Sequence, residues 1–130
     1  MTRYRIAIAL LGAATLAVAA CASETASTAD VDAPAVTIAG EPEDCIQTTR
    51  IAGTRVHDDY TIDFEMTGGN VYRNTLTNRC PGLGFEERFG YRVSTGQLCR
   101  LDTITVLQSG GTAGATCGLG PFVPVRYADD

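Results

Sequence analysis

The chain has 130 residues, ten Arg and no Lys against fifteen Asp and Glu, a net charge of −5 and 45% hydrophobic content. That length accommodates one domain at most. The acidic balance excludes a nucleic-acid binder, which needs a clustered basic face to displace counterions from phosphates.

Arg3 and Arg5 open the chain, and Ile6 to Ala20 is an uncharged apolar run that ends Val18-Ala19-Ala20-Cys21. As a helix, those fifteen residues reach roughly 22 Å, short of a hydrocarbon core about 30 Å thick. An export signal therefore fits better than a transmembrane helix. A cysteine placed directly after small residues resembles the bacterial lipobox. That resemblance implies a lipoprotein signal peptide over residues 1–20, removal of the signal before Cys21, and acylation of that cysteine by lipid such as palmitate. One acyl chain binds membranes only marginally, whereas two or more hold stably. The membrane is thus one expected partner. Ala22 in place of Asp implies, by the same resemblance, sorting to the outer membrane with the protein facing the periplasm.

Residues 22–44 hold six acids and two prolines but no aromatic residue and no Arg. Such a segment buries too little apolar surface to offset its ordering entropy. Residues 21–44 are expected to form a lipidated cysteine and a disordered acidic tether, about 25–29 Å end to end as a coil. A short strand over Val36 to Ala39 is the alternative.

Residues 45–127 hold eight of the nine aromatic residues, twelve of the fourteen glycines and the other four cysteines; 128–130 are an acidic tail. From Tyr60 to Met66 every second residue is apolar, which predicts a strand with one buried and one wet face. Thr67-Gly68-Gly69-Asn70 predicts a hairpin turn, and Val71 to Leu76 the returning strand. Further strands are expected over Thr48 to Val56 (broken at Gly53), Phe89 to Val93, Gln97 to Leu101, Thr103 to Leu107 and near Ala115 to Cys117. No stretch after the signal shows a helical period. The expected fold is all-β, a small disulfide-linked barrel or sandwich of about five to seven short antiparallel strands.

With Cys21 assigned to lipid, Cys45, Cys80, Cys99 and Cys117 form an even set suited to two disulfides in an oxidising compartment. Three connectivities are open. Cys45–Cys117 with Cys80–Cys99 is the one leaned toward, because it ties the start of the domain to its end. A zinc site lacks ligand spacing, and the absence of CxxC and CxxCH removes the thioredoxin-like and haem readings. No cofactor is expected.

His57, the lone histidine, lies in His57-Asp58-Asp59. A histidine beside carboxylates suits a general base or a metal ligand. Neighbouring side chains on a strand point to opposite faces, however, so the triplet does not converge by itself, and turn chemistry explains the two aspartates. Asp63 and Glu65 share the face expected to be wet, and Glu86-Glu87 reads as solvated. The glycine-rich run from Gly110 lacks the Lys of a P-loop.

The segments Cys80-Pro-Gly-Leu-Gly84, Leu98-Cys99-Arg-Leu-Asp102 and Cys117-Gly-Leu-Gly-Pro-Phe122 carry a resemblance, with Cys45-Ile46, Asp59, Ile62, Phe64 and Tyr72-Arg73-Asn74. Together they resemble an uncharacterised domain-of-unknown-function family of small exported cysteine-containing β proteins and lipoproteins of Gram-negative bacteria. The resemblance implies a disulfide-linked β-domain and no activity. His57, Asp59, Arg73, Asn74, Arg100 and Asp102 are the candidate binding surface, with turn and disulfide scaffolding as the plainer role for the three cysteine motifs.

The function expected is a non-enzymatic envelope lipoprotein that binds an unknown envelope protein or ligand. One alternative is a lysozyme-inhibitor-like protein working through Val93-Ser94-Thr95-Gly96. Another is a metal-assisted hydrolase built on His57, Asp58, Asp59 and Asp102. Segmentation also relocates the charge: the chain from Cys21 onward has eight Arg against fifteen acids, net −7, while 45–127 has eight Arg against seven, net +1.

Overall fold

The computed structural model describes residues 32–128. Cys21 and its flanking signal lie outside the described residues, as do Asp129 and Asp130. In chain order the strands are β1 (Val36–Ile38), β2 (Cys45–Gln47), β3 (Ile51–Val56), β4 (Thr61–Met66) and β5 (Val71–Thr75). They continue as β6 (Phe89–Tyr91), β7 (Gln97–Cys99), β8 (Thr103–Leu107), β9 (Ala113–Gly118) and β10 (Phe122–Tyr127). One helical turn, α1 (Leu83–Glu86), precedes β6.

The strands form a five-stranded sheet in the order β1-β10-β5-β4-β3, a pair β2-β7, and a three-stranded sheet β6-β8-β9. All pairings are antiparallel, and the sheets do not close into a barrel. Ile62, Phe64 and Phe122 on the inner face of the large sheet meet Ile46, Leu98, Ile104, Val106, Leu83 and Leu119 in one core. Phe64 stands edge-on to Phe122 and to Phe89, with ring centroids 5.4 and 6.1 Å apart, so aromatic contact ties the large sheet to the three-stranded one.

The all-β, disulfide-linked expectation holds, with ten strands among the described residues rather than five to seven. The added strands are β1, where the alternative reading placed a short strand over Val36 to Ala39, the short β2 and the long β10, whose proline at Pro124 obscures its pattern. α1 was not foreseen, since four residues are too few to show a period. The expected strand from Thr48 begins as a 3₁₀ turn at Thr48–Arg50, and the β3–β4 register shifts between Ile51 and Gly53. The described part of the expected tether is ordered: β1 pairs with β10, and Glu43 bridges to Phe122.

The disulfides join Cys45 to Cys99 and Cys80 to Cys117, not Cys45 to Cys117 and Cys80 to Cys99. The reason is topological. Strand pairing by β1, β10 and Glu43 already fastens the start of the domain to its end. The cross-links act instead on weakly paired parts: the two-stranded β2-β7 sheet, marginal by itself, and the strand-free stretch from Leu76 to Arg88 that carries α1.

Candidate functional site

The expected wet face of β4 is open only at Glu65, which is half-buried. Asp63 is fully buried. The hairpin register sets it directly across from Arg73 on β5, and β10 brings Tyr127 over it. Arg73 grips the carboxylate bidentately, Nε donating to Oδ1 at 2.8 Å and Nη2 to Oδ2 at 3.0 Å. Tyr127 Oη donates to Oδ2 at 2.7 Å, and His57 Nε2 lies 2.7 Å from the same oxygen. Arg73 Nη1 also donates to the carbonyl of Pro34 at 2.9 Å, so the cluster clasps the segment that leads into β1.

Burial pushes the Asp63 carboxyl up, but hydrogen bonds from Arg73, Tyr127 and His57 outweigh it and hold it below the usual carboxylate value. Burial and then the Asp63 bond push the Tyr127 hydroxyl up to about 12. The Asp63 bond raises Arg73 in turn. With Asp63 ionised, each group on Oδ2 must donate, which places a proton on His57 Nε2. This is a satisfied buried carboxylate. Its partners Arg73 and His57 are only 14% and 13% exposed.

The loop after β3 forms one wall of an open groove of about 420 Å³, lined by His57, Asp58, Asp59 and Tyr60 and faced by Arg79, Gly84 and Phe85. Asp59 accepts from Gly84 N at 2.8 Å and from Arg79 Nε at 3.0 Å. Asp58 Oδ1 accepts from Tyr60 N at 2.7 Å in an Asx turn, while its buried Oδ2 has no partner. Gly84 packs closely here, since a β-carbon would lie 3.0 Å from the Asp58 backbone. Phe85, 87% exposed, projects from α1 at the groove's edge.

The other candidates lie elsewhere. Asn74 is buried on the core face and exchanges two hydrogen bonds with the backbone of Gly120, at 2.7 and 2.8 Å. A β-carbon at Gly120 would run into the Thr75 carbonyl oxygen, so this glycine of the third cysteine motif is scaffolding. Arg100 and Asp102 occupy the turn between β7 and β8, and none of their hydrogen bonds or ion pairs reaches Asp63. Glu65 pairs with Arg55. Glu86 Oε2 accepts from Ser109 N and Oγ at 3.2 and 3.1 Å at the surface, so it braces a loop as well, and Glu87 is exposed as expected.

The six candidate residues thus do not form one surface. His57 and Arg73 meet on Asp63, Asp59 lines the groove beside His57, and the remaining three stand apart. The hydrolase set does not converge either, since Asp102 caps its own turn, and no group of three His, Cys, Asp or Glu among the described residues could hold a metal ion. Sequence reasoning missed Tyr127, Arg79 and Phe85. Only the Asp63–Arg73 pairing had a local signal, in the hairpin turn.

Fold and site together define a small, disulfide-linked, antiparallel β-domain with a groove beside a buried ionic cluster. The chain belongs to a family of unknown function (DUF6491), whose model matches residues 4–119. No curated protein and no solved structure matches it.

Proposed function

We propose that the chain is an exported bacterial lipoprotein, anchored through acylated Cys21 in the envelope, whose β-domain is a non-enzymatic binding module for an envelope protein or ligand. The observation that carries the binding reading is how the polar groups around the groove are used. Asp63 and His57 bond each other, Asp59 holds Arg79 and Gly84, and Asp58 closes a turn through Oδ1 while its buried Oδ2 has no partner. What faces solvent is an aromatic ring, Phe85, beside the Arg79–Asp59 ion pair, with the Asp32 carboxylate also on the lining. That is a surface for recognition rather than a reacting set. Anchoring is supported by Arg3 and Arg5, the uncharged run to Ala20 and the position of Cys21. The family match from residue 4 supports treating that leader as part of the family pattern.

Feeding cells an alkyne fatty acid tests the anchor. The full chain should take up label and sediment with membranes, and Cys21→Ser should do neither. For the domain, purified protein should turn over no envelope substrate. Turnover that disappears in His57→Ala or Asp59→Ala would sink the binding reading.

A further inference from the structure

The turn Cys99-Arg100-Leu101-Asp102 carries a residue that its backbone conformation does not favour. Asp102 N donates to Cys99 O at 3.1 Å, closing a β-turn, and Leu101 occupies its third position at φ 72°. That conformation belongs to glycine or asparagine, and a leucine there is strained. Burial does not compensate, because Leu101 is 72% exposed. For the isolated domain glycine would serve better on both counts.

The turn is also firmly held. Every amide in it donates: Cys99 N to Asp102 Oδ2 at 2.7 Å, Arg100 N to Asp44 O at 2.6 Å and Leu101 N to Leu119 O at 3.0 Å, besides the closing bond. Leu119 N returns a bond to Asp102 O at 2.9 Å, and the Cys45–Cys99 disulfide anchors the base. Beside the leucine, Arg100 is half-exposed and only loosely paired with Asp44 at 3.6 Å. A lone exposed leucine is ordinary. A strained, rigid and projecting one next to a loosely paired guanidinium is not, and strain of this kind collects at functional positions.

We propose that this turn is a preorganised protein-docking tip. Leu101 is the anchor, Arg100 the charged flank, and Asp102 the positioning residue that holds the turn closed. The partner it fits is a protein with an apolar pocket rimmed by carboxylate. Little order is lost on docking, because the turn is already fixed. This surface is separate from the groove and does not rest on it.

The test uses the full chain expressed in its own cells on photo-leucine, which keeps leucine's shape. Of the described leucines only Leu101 and Leu107 are exposed. Irradiation should give a discrete intermolecular adduct mapping to Leu101. Added unlabelled full chain should compete it away, whereas Leu101→Gly and Arg100→Glu should need at least tenfold more protein, and Phe85→Ala no more than the parent. Leu101→Gly should melt no lower than the parent, because glycine relieves the turn; Leu101→Asn provides a second variant tolerant of the same φ. The proposal is overturned if the adduct maps only elsewhere or if both Leu101 variants compete as well as the parent. A lower melting point for both variants would also overturn it, by showing that the leucine serves the fold.

Discussion

Replacing Asp63 with Asn keeps the shape of the side chain and removes the charge at the centre of the clasp. Four hydrogen bonds end on this fully buried carboxylate, two from Arg73 and one each from Tyr127 and His57. The amide turns one acceptor into a donor facing donors, and it leaves Arg73 largely buried without its counter-charge. Breaking a buried pair from one side costs about 3–5 kcal/mol. Because the Arg73 side chain keeps 14% exposure, partial hydration favours the lower end of that range. A loss of about 3 kcal/mol in a domain of this size lowers Tm by roughly 12–24 °C. Circular-dichroism melts and urea titrations with both disulfides intact would measure it. Arg73→Met added to Asp63→Asn should restore part of the loss, since removing both partners leaves no unpaired buried charge. The pH dependence has a definite sign. Asp63 is held below 3.8 when folded, so its contribution is present above that pH and fades as pH falls through the lower folded value. The gap between parent and variant should therefore close in acid. A shift under about 4 °C, or a double variant as damaged as the two singles combined, would refute the clasp argument.

Three further outcomes are expected. Tyr127 carries a hydroxyl pushed from 10 to about 12, so it stabilises the fold fully below pH 10 and ceases to as pH rises through 12; alkaline unfolding should be steeper for the parent than for Tyr127→Phe. Non-reducing peptide mapping should return Cys45–Cys99 and Cys80–Cys117, and Cys80→Ser should cost about 4 kcal/mol in urea titration, as loop closure over 37 residues implies. Gly120→Ala should cost about 1–3 kcal/mol by driving a methyl group at the Thr75 carbonyl, whereas Gly118→Ala, with open space before it, should melt near the parent.

Much of the large sheet was legible because its pairings are local. Alternation marks β4, Thr67 to Asn70 marks the turn, and the apolar members Ile62, Phe64 and Met66 do face the core. The same alternation misassigns Asp63 to solvent. It reports which residues share a face, not whether that face is open. The hairpin turn is the better guide: a return between Met66 and Val71 sets Asp63 against Arg73, an opposite-charge pair that cross-strand geometry favours. What covers the face comes from far away in sequence. Tyr127 arrives on β10, and Pro34 arrives from a segment whose composition reads as coil. That segment is ordered by neighbours rather than by its own residues, since β1 borrows its ladder from β10.

His57 shows the same limit at the site itself. Its sequence neighbours Asp58 and Asp59 bond to other groups, and it meets Asp63, six residues on, because the turn closed by His57 N and Thr61 O folds the chain back. Adjacency along a strand separates side chains, whereas a tight turn reunites residues several positions apart. A triplet that looks catalytic on paper is thus split among three structural tasks: a clasp, a turn and a brace for α1. Phe85 carries no motif at all. Nothing in the sequence separates an exposed phenylalanine from a core one, and its position follows from Glu86 holding the Ser109 loop and Gly84 resting on Asp58, contacts that place the next side chain outside the core. Leu101 escapes in the same way, for its strain is a property of φ, which residue identity alone does not disclose.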